Sequence, residues 1–168
     1  PATPTQQEPL STATVASIRA MLNEHDRGQF TRSALLADLI RRDFSAFGAL
    51  QQRVNAVAAI PMEIHPADDS DPAKAEADVI AAEWPHVVSA GARADFALDT
   101  CMMGFAVGQL VWHVSTDGYR WPRLTSWPGS AVERDRTSGR WYALTLDQGR
   151  VEITPGDDRW VFFAPRSG

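Results

Sequence analysis

The sequence predicts an α+β fold, with N-terminal helices packed on a mostly antiparallel β-sheet or meander. Three observations carry that expectation. Apolar residues recur at helical spacing through most of the stretch from Ser11 to Met103. The run from Met103 to Tyr119 is apolar, rich in β-branched and aromatic residues, and closed by Asp117-Gly118, a hairpin signal. Beyond it, turn signals recur at roughly ten-residue intervals, the mark of successive hairpins.

Residues 1–10, with Pro1, Pro4 and Pro9, suit an extended arm rather than a helix or central strand. The first helix is expected from Ser11 to Arg27, with Ser11 or Thr12 as cap and Gly28 as stop. Val15, Ile18, Met21 and Leu22 share its apolar face. A second helix runs from about Ser33 to Arg42 on a stripe of Leu35, Leu36, Leu39 and Ile40. Asp43 caps a third, where Phe44, Phe47, Leu50, Val54 and Val57 keep helical spacing until Pro61. Pro61 to Pro66 alternates between proline brackets and reads as a short edge strand. Asp71 then caps a helix with Pro72 in its first position, ending near Trp84 before Pro85. Ala90 to Met103 forms one more, with apolar residues on several sides as in a buried helix. It feeds the long strand, whose two apolar faces predict a central strand covered on both sides. The meander after it has strands at Tyr119–Trp127 (broken by Pro122), Ala131–Asp135, Arg140–Leu146, Arg150–Thr154 and Arg159–Ala164.

The 168 residues suit one domain with a real core, divided here into an arm and helix over 1–28 and an α+β domain over 29–168. A net charge of −5 argues against a nucleic-acid grip, which usually needs a basic face. Cys101 is alone, so no internal disulfide forms, and its apolar neighbours place it as a small core residue. No apolar run approaches the roughly 20 residues that span a bilayer, and no leader segment opens the chain. A cytoplasmic protein, or one assembled there, is the expectation.

Chemical motifs are absent. The four histidines (25, 65, 86 and 113) share no ligand spacing. His65 reads as a surface residue, and His113 as a hydrogen-bonded core residue. Asp68, Asp69 and Asp71 lack the glycine and closing glutamate of a calcium loop. No nucleophile elbow, phosphate loop or dinucleotide fingerprint occurs. Catalytic, cofactor-binding and metal-binding residues are therefore all expected to be none. Trp121, Trp127, Trp141 and Trp160 suit a sugar or peptide platform, but equally a core or a subunit contact. A hydrolase using His113 or His65 with a nearby carboxylate is the remaining alternative.

A set of residues, taken in order, resembles the tailed-phage portal proteins, particularly the Mu-like portal family. It begins at Arg42-Asp43 and continues through Arg53-x-x-Ala56-Val57-x-x-x-Pro61-x-x-Ile64-x-Pro66 to Asp99. Gly104-Phe105-Ala106-Val107-x-x-x-Val111-Trp112 comes next, then Trp127-Pro128, the turn from Asp135 to Gly139, and Pro155-Gly156-Asp157 before Trp160-Val161-Phe162-Phe163. The resemblance covers roughly 32–165 and departs at Gln109, where a Glu is common in such proteins. It implies the peripheral wing of a longer portal chain, whose stem, clip and DNA-facing loop would lie beyond Gly168. It further implies a structural, non-enzymatic role without a cofactor, in a ring (usually dodecameric) at one capsid vertex. Its partners would be capsid, terminase and tail-adaptor proteins, with DNA passing through unread. The location implied is the virion, after assembly in the host cytoplasm.

Overall fold

The computed structural model describes residues 14–114, 118, 120–154 and 156–164. The arm at 1–10, most of the Asp117-Gly118 turn and Pro155 lie outside them. Five helices come first: α1 (Val15–Asp26), α2 (Thr31–Arg42), α3 (Phe44–Ala58), α4 (Asp71–Val87) and α5 (Ala90–Met103). Six strands come after them: β1 (Ala106–Val114), β2 (Arg120–Trp127), β3 (Val132–Arg134), β4 (Trp141–Thr145), β5 (Gly149–Ile153) and β6 (Trp160–Phe163). The α+β expectation holds, with antiparallel pairing throughout the described strands.

Local chemistry explains most helix ends. Thr14, not Ser11 or Thr12, caps the described helix α1, and Ser17 returns the bond to the Thr14 N–H at 2.9 Å. Asp43 caps α3 as expected, accepting from the Ala46 N–H at 2.8 Å. Ser70 rather than Asp71 caps α4, because its hydroxyl reaches the Ala73 N–H and leaves Asp71 at the positive helix end. The same helix continues through Pro85 to Val87 instead of stopping at Trp84. So close to the C-terminus, a proline there forfeits only a late bond of the ladder. Ser89 and Gly104 bound α5, with Gly104 in the left-handed conformation at φ 73°.

The apolar stripes are buried less fully than their spacing predicts. Met21 is the buried residue of α1, whereas Val15, Ile18 and Leu22 are exposed. In α2 the fully buried positions are Ala34 and Ala37, with the four long aliphatics half-buried around them. Val54 is buried in α3, while Phe44 and Val57 face out. Cys101 is also exposed, contrary to the core reading. At about 100° per residue, the inward arc of α5 runs from Leu98 through Asp99 to Met103, and Cys101 falls beyond its edge.

The expected single meander is instead two three-stranded sheets, ordered β2-β1-β6 and β3-β4-β5. β6 leaves the meander to pair with β1, so the chain's last described strand covers its first. Nor does Pro122 break β2, which is an edge strand where the missing N–H has no ladder partner to lose. The prolines around 61–66 have the opposite effect: no sheet edge adopts the segment, and it has no regular structure. β1 is buried on both faces only near its start, where Phe105, Ala106 and Val107 enter the core. Its outer half, from Val111 to Val114 and including His113, is exposed, although the Trp112 indole N–H donates to the Asp158 carbonyl at 2.9 Å.

The main core lies where α2 meets both sheets and joins Phe30, Met103, Phe105, Val107, Val132, Ala143, Ile153 and Trp160. The α1–α2 turn is tied onto β3: Gly28 accepts from the Arg134 N–H at 3.0 Å, and Gln29 bridges to Glu133. A side chain at Gly28 would place its Cβ 2.1 Å from the Arg134 carbonyl oxygen, and the backbone φ there is +86°. Only glycine fits.

Candidate functional site

Three elements far apart in sequence converge on one carboxylate. Asp99 projects from the inward arc of α5, Arg41 from the last turn of α2, and Ser126 from near the end of β2. Ser126 Oγ donates to Asp99 Oδ2 at 2.7 Å, and Arg41 Nη2 donates to Asp99 Oδ1. The Asp99 side chain is 14% exposed and that of Arg41 35%. Burial raises the Asp99 carboxyl above its ordinary range, against the downward pull of Ser126 and Arg41, while nearby Asp95 pushes it further up. Arg41 Nε is buried without a hydrogen-bond partner among the described residues.

Around this node opens a cleft of about 240 Å³, walled also by Asp38, Asp95, Pro128 and Ser130. Both Asp99 oxygens are engaged, so the carboxylate is suited to holding α2, α5 and β2 in register rather than to abstracting a proton. Among the described residues, no group of three or more His, Cys, Asp or Glu is placed to hold a metal ion.

A second junction is aromatic. His25 Nδ1 lies 2.9 Å from Ser33 Oγ, and its ring sits edge-on to Phe30 at 4.8 Å. Phe30 stacks on Trp141 at 5.4 Å and 8°, and Phe105 and Phe162 close around the same indole. Burial holds the His25 imidazole below its ordinary value, against smaller upward effects from Asp26 and the Met103 backbone. This histidine fastens α1 to α2 beside the start of β1.

The residues singled out from sequence are dispersed. His65 is exposed and pairs loosely with Glu63 at 3.4 Å. His113 is exposed rather than in the core, and it lines a shallow groove with Glu83 and His86 of α4 and Arg123 of β2. Trp127 and Trp160 meet edge to face at 5.2 Å, and Trp141 belongs to the aromatic junction, so these three share no open platform. Sequence reasoning missed the Arg41–Asp99–Ser126 node. Asp99, an acid set between the buried Leu98 and Met103 of α5, was the available signal, but its partners lie 58 and 27 residues away.

Fold and site together define a class: an α+β building block whose interior polar groups join elements to one another. Comparison with protein-family models matches residues 33–168 to the portal protein of Mu bacteriophage. The match spans most of the chain, which therefore belongs to the Mu-like phage portal family. That family is structural rather than enzymatic. A search of curated proteins finds no match.

Proposed function

We propose that this chain is the wing portion of a subunit in a homo-oligomeric ring, dodecameric in the intact portal. The ring sits at one capsid vertex, where it forms part of the conduit for DNA packaging and ejection and of the head–tail connection. The family match over residues 33–168 carries this reading. Its neighbours in the particle are capsid, terminase and tail-adaptor proteins, and its site of assembly is the host cytoplasm. An arm and helix over 1–28 and a wing-like domain over 29–168 divide the labour.

The physical character of the chain supports the role. A conduit must transmit load between copies, and the Arg41–Asp99–Ser126 node and the aromatic junction within the core both tie helices to sheets. A net charge of −5 gives little grip on a polyanion, as suits a channel through which DNA slides without being read. No catalysis or cofactor is needed.

Antibodies against the chain, imaged on assembled phage particles, test the location. Label at a single vertex of each head is expected. Label spread over every vertex, or absent from purified particles, would overturn the proposal.

A further inference from the structure

A stripe of α1 begins where residues 1–13 join the helix and ends at the aromatic junction. Val15, Ile18, Leu22 and His25 recur at spacings of three and four, so they share one arc of the helix. At about 100° per residue, the buried Met21 bounds that arc on its inner side, and the exposed Arg19 and Asp26 bound it toward solvent. Val15, Ile18 and Leu22 are 68%, 41% and 56% exposed.

At its far end the stripe runs into a groove of about 540 Å³, which His25 lines together with Phe30, Phe105, Trp141, Phe162 and Arg134. Phe30 and Phe105 are buried, whereas His25, Trp141 and Phe162 are half-buried, so the groove presents aromatic faces. Arg134 is exposed, with its guanidinium 5.6 Å from the centre of the Trp141 ring.

The thirteen residues before Thr14 have the chemistry such a groove takes. They contain Pro1-x-x-Pro4 and Pro9, and Glu8 is their one charged side chain. Proline restricts the free segment, so it loses little freedom on binding, and aromatic-lined grooves recognise prolines at this spacing. We infer that residues 1–13 fold back along α1 and seat Pro1-x-x-Pro4 in the aromatic groove of their own chain. Reach agrees with this. Val15 and His25 are about 15 Å apart along the helix axis. Running back from Ala13 at about 3.1 Å per residue, five residues cover that distance. Leu10 then lies over Leu22, Glu8 comes level with His25 beside Arg134, and Pro1 to Pro4 continue into the groove. The stripe starts at the arm's own point of attachment. That tether gives the segment a high effective concentration at the groove and selects it over the arm of a second copy.

Hydroxyl-radical footprinting of the intact protein, and of a variant lacking residues 1–10, tests the contact. Loss of the arm should raise oxidation of Ile18, Leu22 and Trp141 several-fold, with Phe44, 95% exposed on α3, unchanged as the internal control. Equal oxidation in both proteins would overturn it. Should the deletion disturb α1, the full-length variant Pro1→Ala with Pro4→Ala decides. Raised Trp141 oxidation at unchanged circular dichroism supports the contact, and unchanged oxidation overturns it. A benzophenone maleimide on Thr3→Cys, with Cys101→Ser removing the other thiol, identifies the chain that is bound. Photolysis should join residue 3 to the Trp141 or Phe162 peptide at monomer mass on a denaturing gel. Cross-links between chains, or none to the groove, would overturn the inference.

Discussion

Asp99 sits on the inward arc of α5 with both oxygens occupied, so its neighbours determine what its removal costs. Arg41→Ala leaves a mostly buried carboxylate with only Ser126 to satisfy it. Breaking a fully buried pair costs about 3–5 kcal/mol, and the partial exposure of Arg41 reduces this to about 2 kcal/mol, or roughly 5 °C in melting temperature. Urea or thermal unfolding reads it directly. The raised Asp99 carboxyl also gives a pH dependence of definite sign. The folded chain holds a proton at Asp99 that the unfolded chain has released, over a window that begins at the ordinary value near 3.8 and extends upward. This contribution is present below that window and is lost as pH rises through it. Relative to Asp99→Asn, the wild type should therefore lose stability between its lower and upper ends, and an unchanged difference across pH would contradict the account. Part of this residue-scale picture was legible in the sequence. Asp43 and Gly28 were readable because a cap or a left-handed stop is decided by its nearest neighbours. The Asp99 node, exposed His113 and exposed Cys101 were not, because rotation of an element against distant partners decides them.

At the scale of elements, the α1–α2 turn is where backbone geometry is least forgiving. Gly28→Ala combines a left-handed residue with a clash against the β3 backbone, so it should destabilise by at least about 2 kcal/mol. Hydrogen exchange should speed up at the Arg134 amide, which bonds to Gly28. α4 offers the reverse case. Pro85 lies inside its last turns, and Pro85→Ala restores a donor without disturbing the core. A gain of about 1 kcal/mol is expected, smaller than in mid-helix because few bonds remain beyond it; a loss would mean that the proline ring is needed for packing. Helix existence was readable from periodicity, yet proline position misled twice. Pro85 did not end its helix and Pro122 did not break its strand, because a missing N–H matters only where a partner waits for it. The return of β6 to β1, which divides the sheet in two, is a pairing across about fifty residues that no local signal records.

The whole molecule joins five helices to two small antiparallel sheets through one apolar core, one charged node and one aromatic junction among the described residues. Its membership of the Mu-like portal family fits a chain whose conspicuous polar side chains hold elements together. The ordered residues from Arg42 to Phe163 make that family readable from the amino-acid string alone. What the string does not display is which surfaces remain for neighbours, since exposure depends on how β6 pairs with β1 and how α4 leans on β2. Native mass spectrometry of the intact protein tests the central claim most directly. The account predicts one closed species at twelve times the subunit mass; a strictly monomeric protein at every concentration would contradict it.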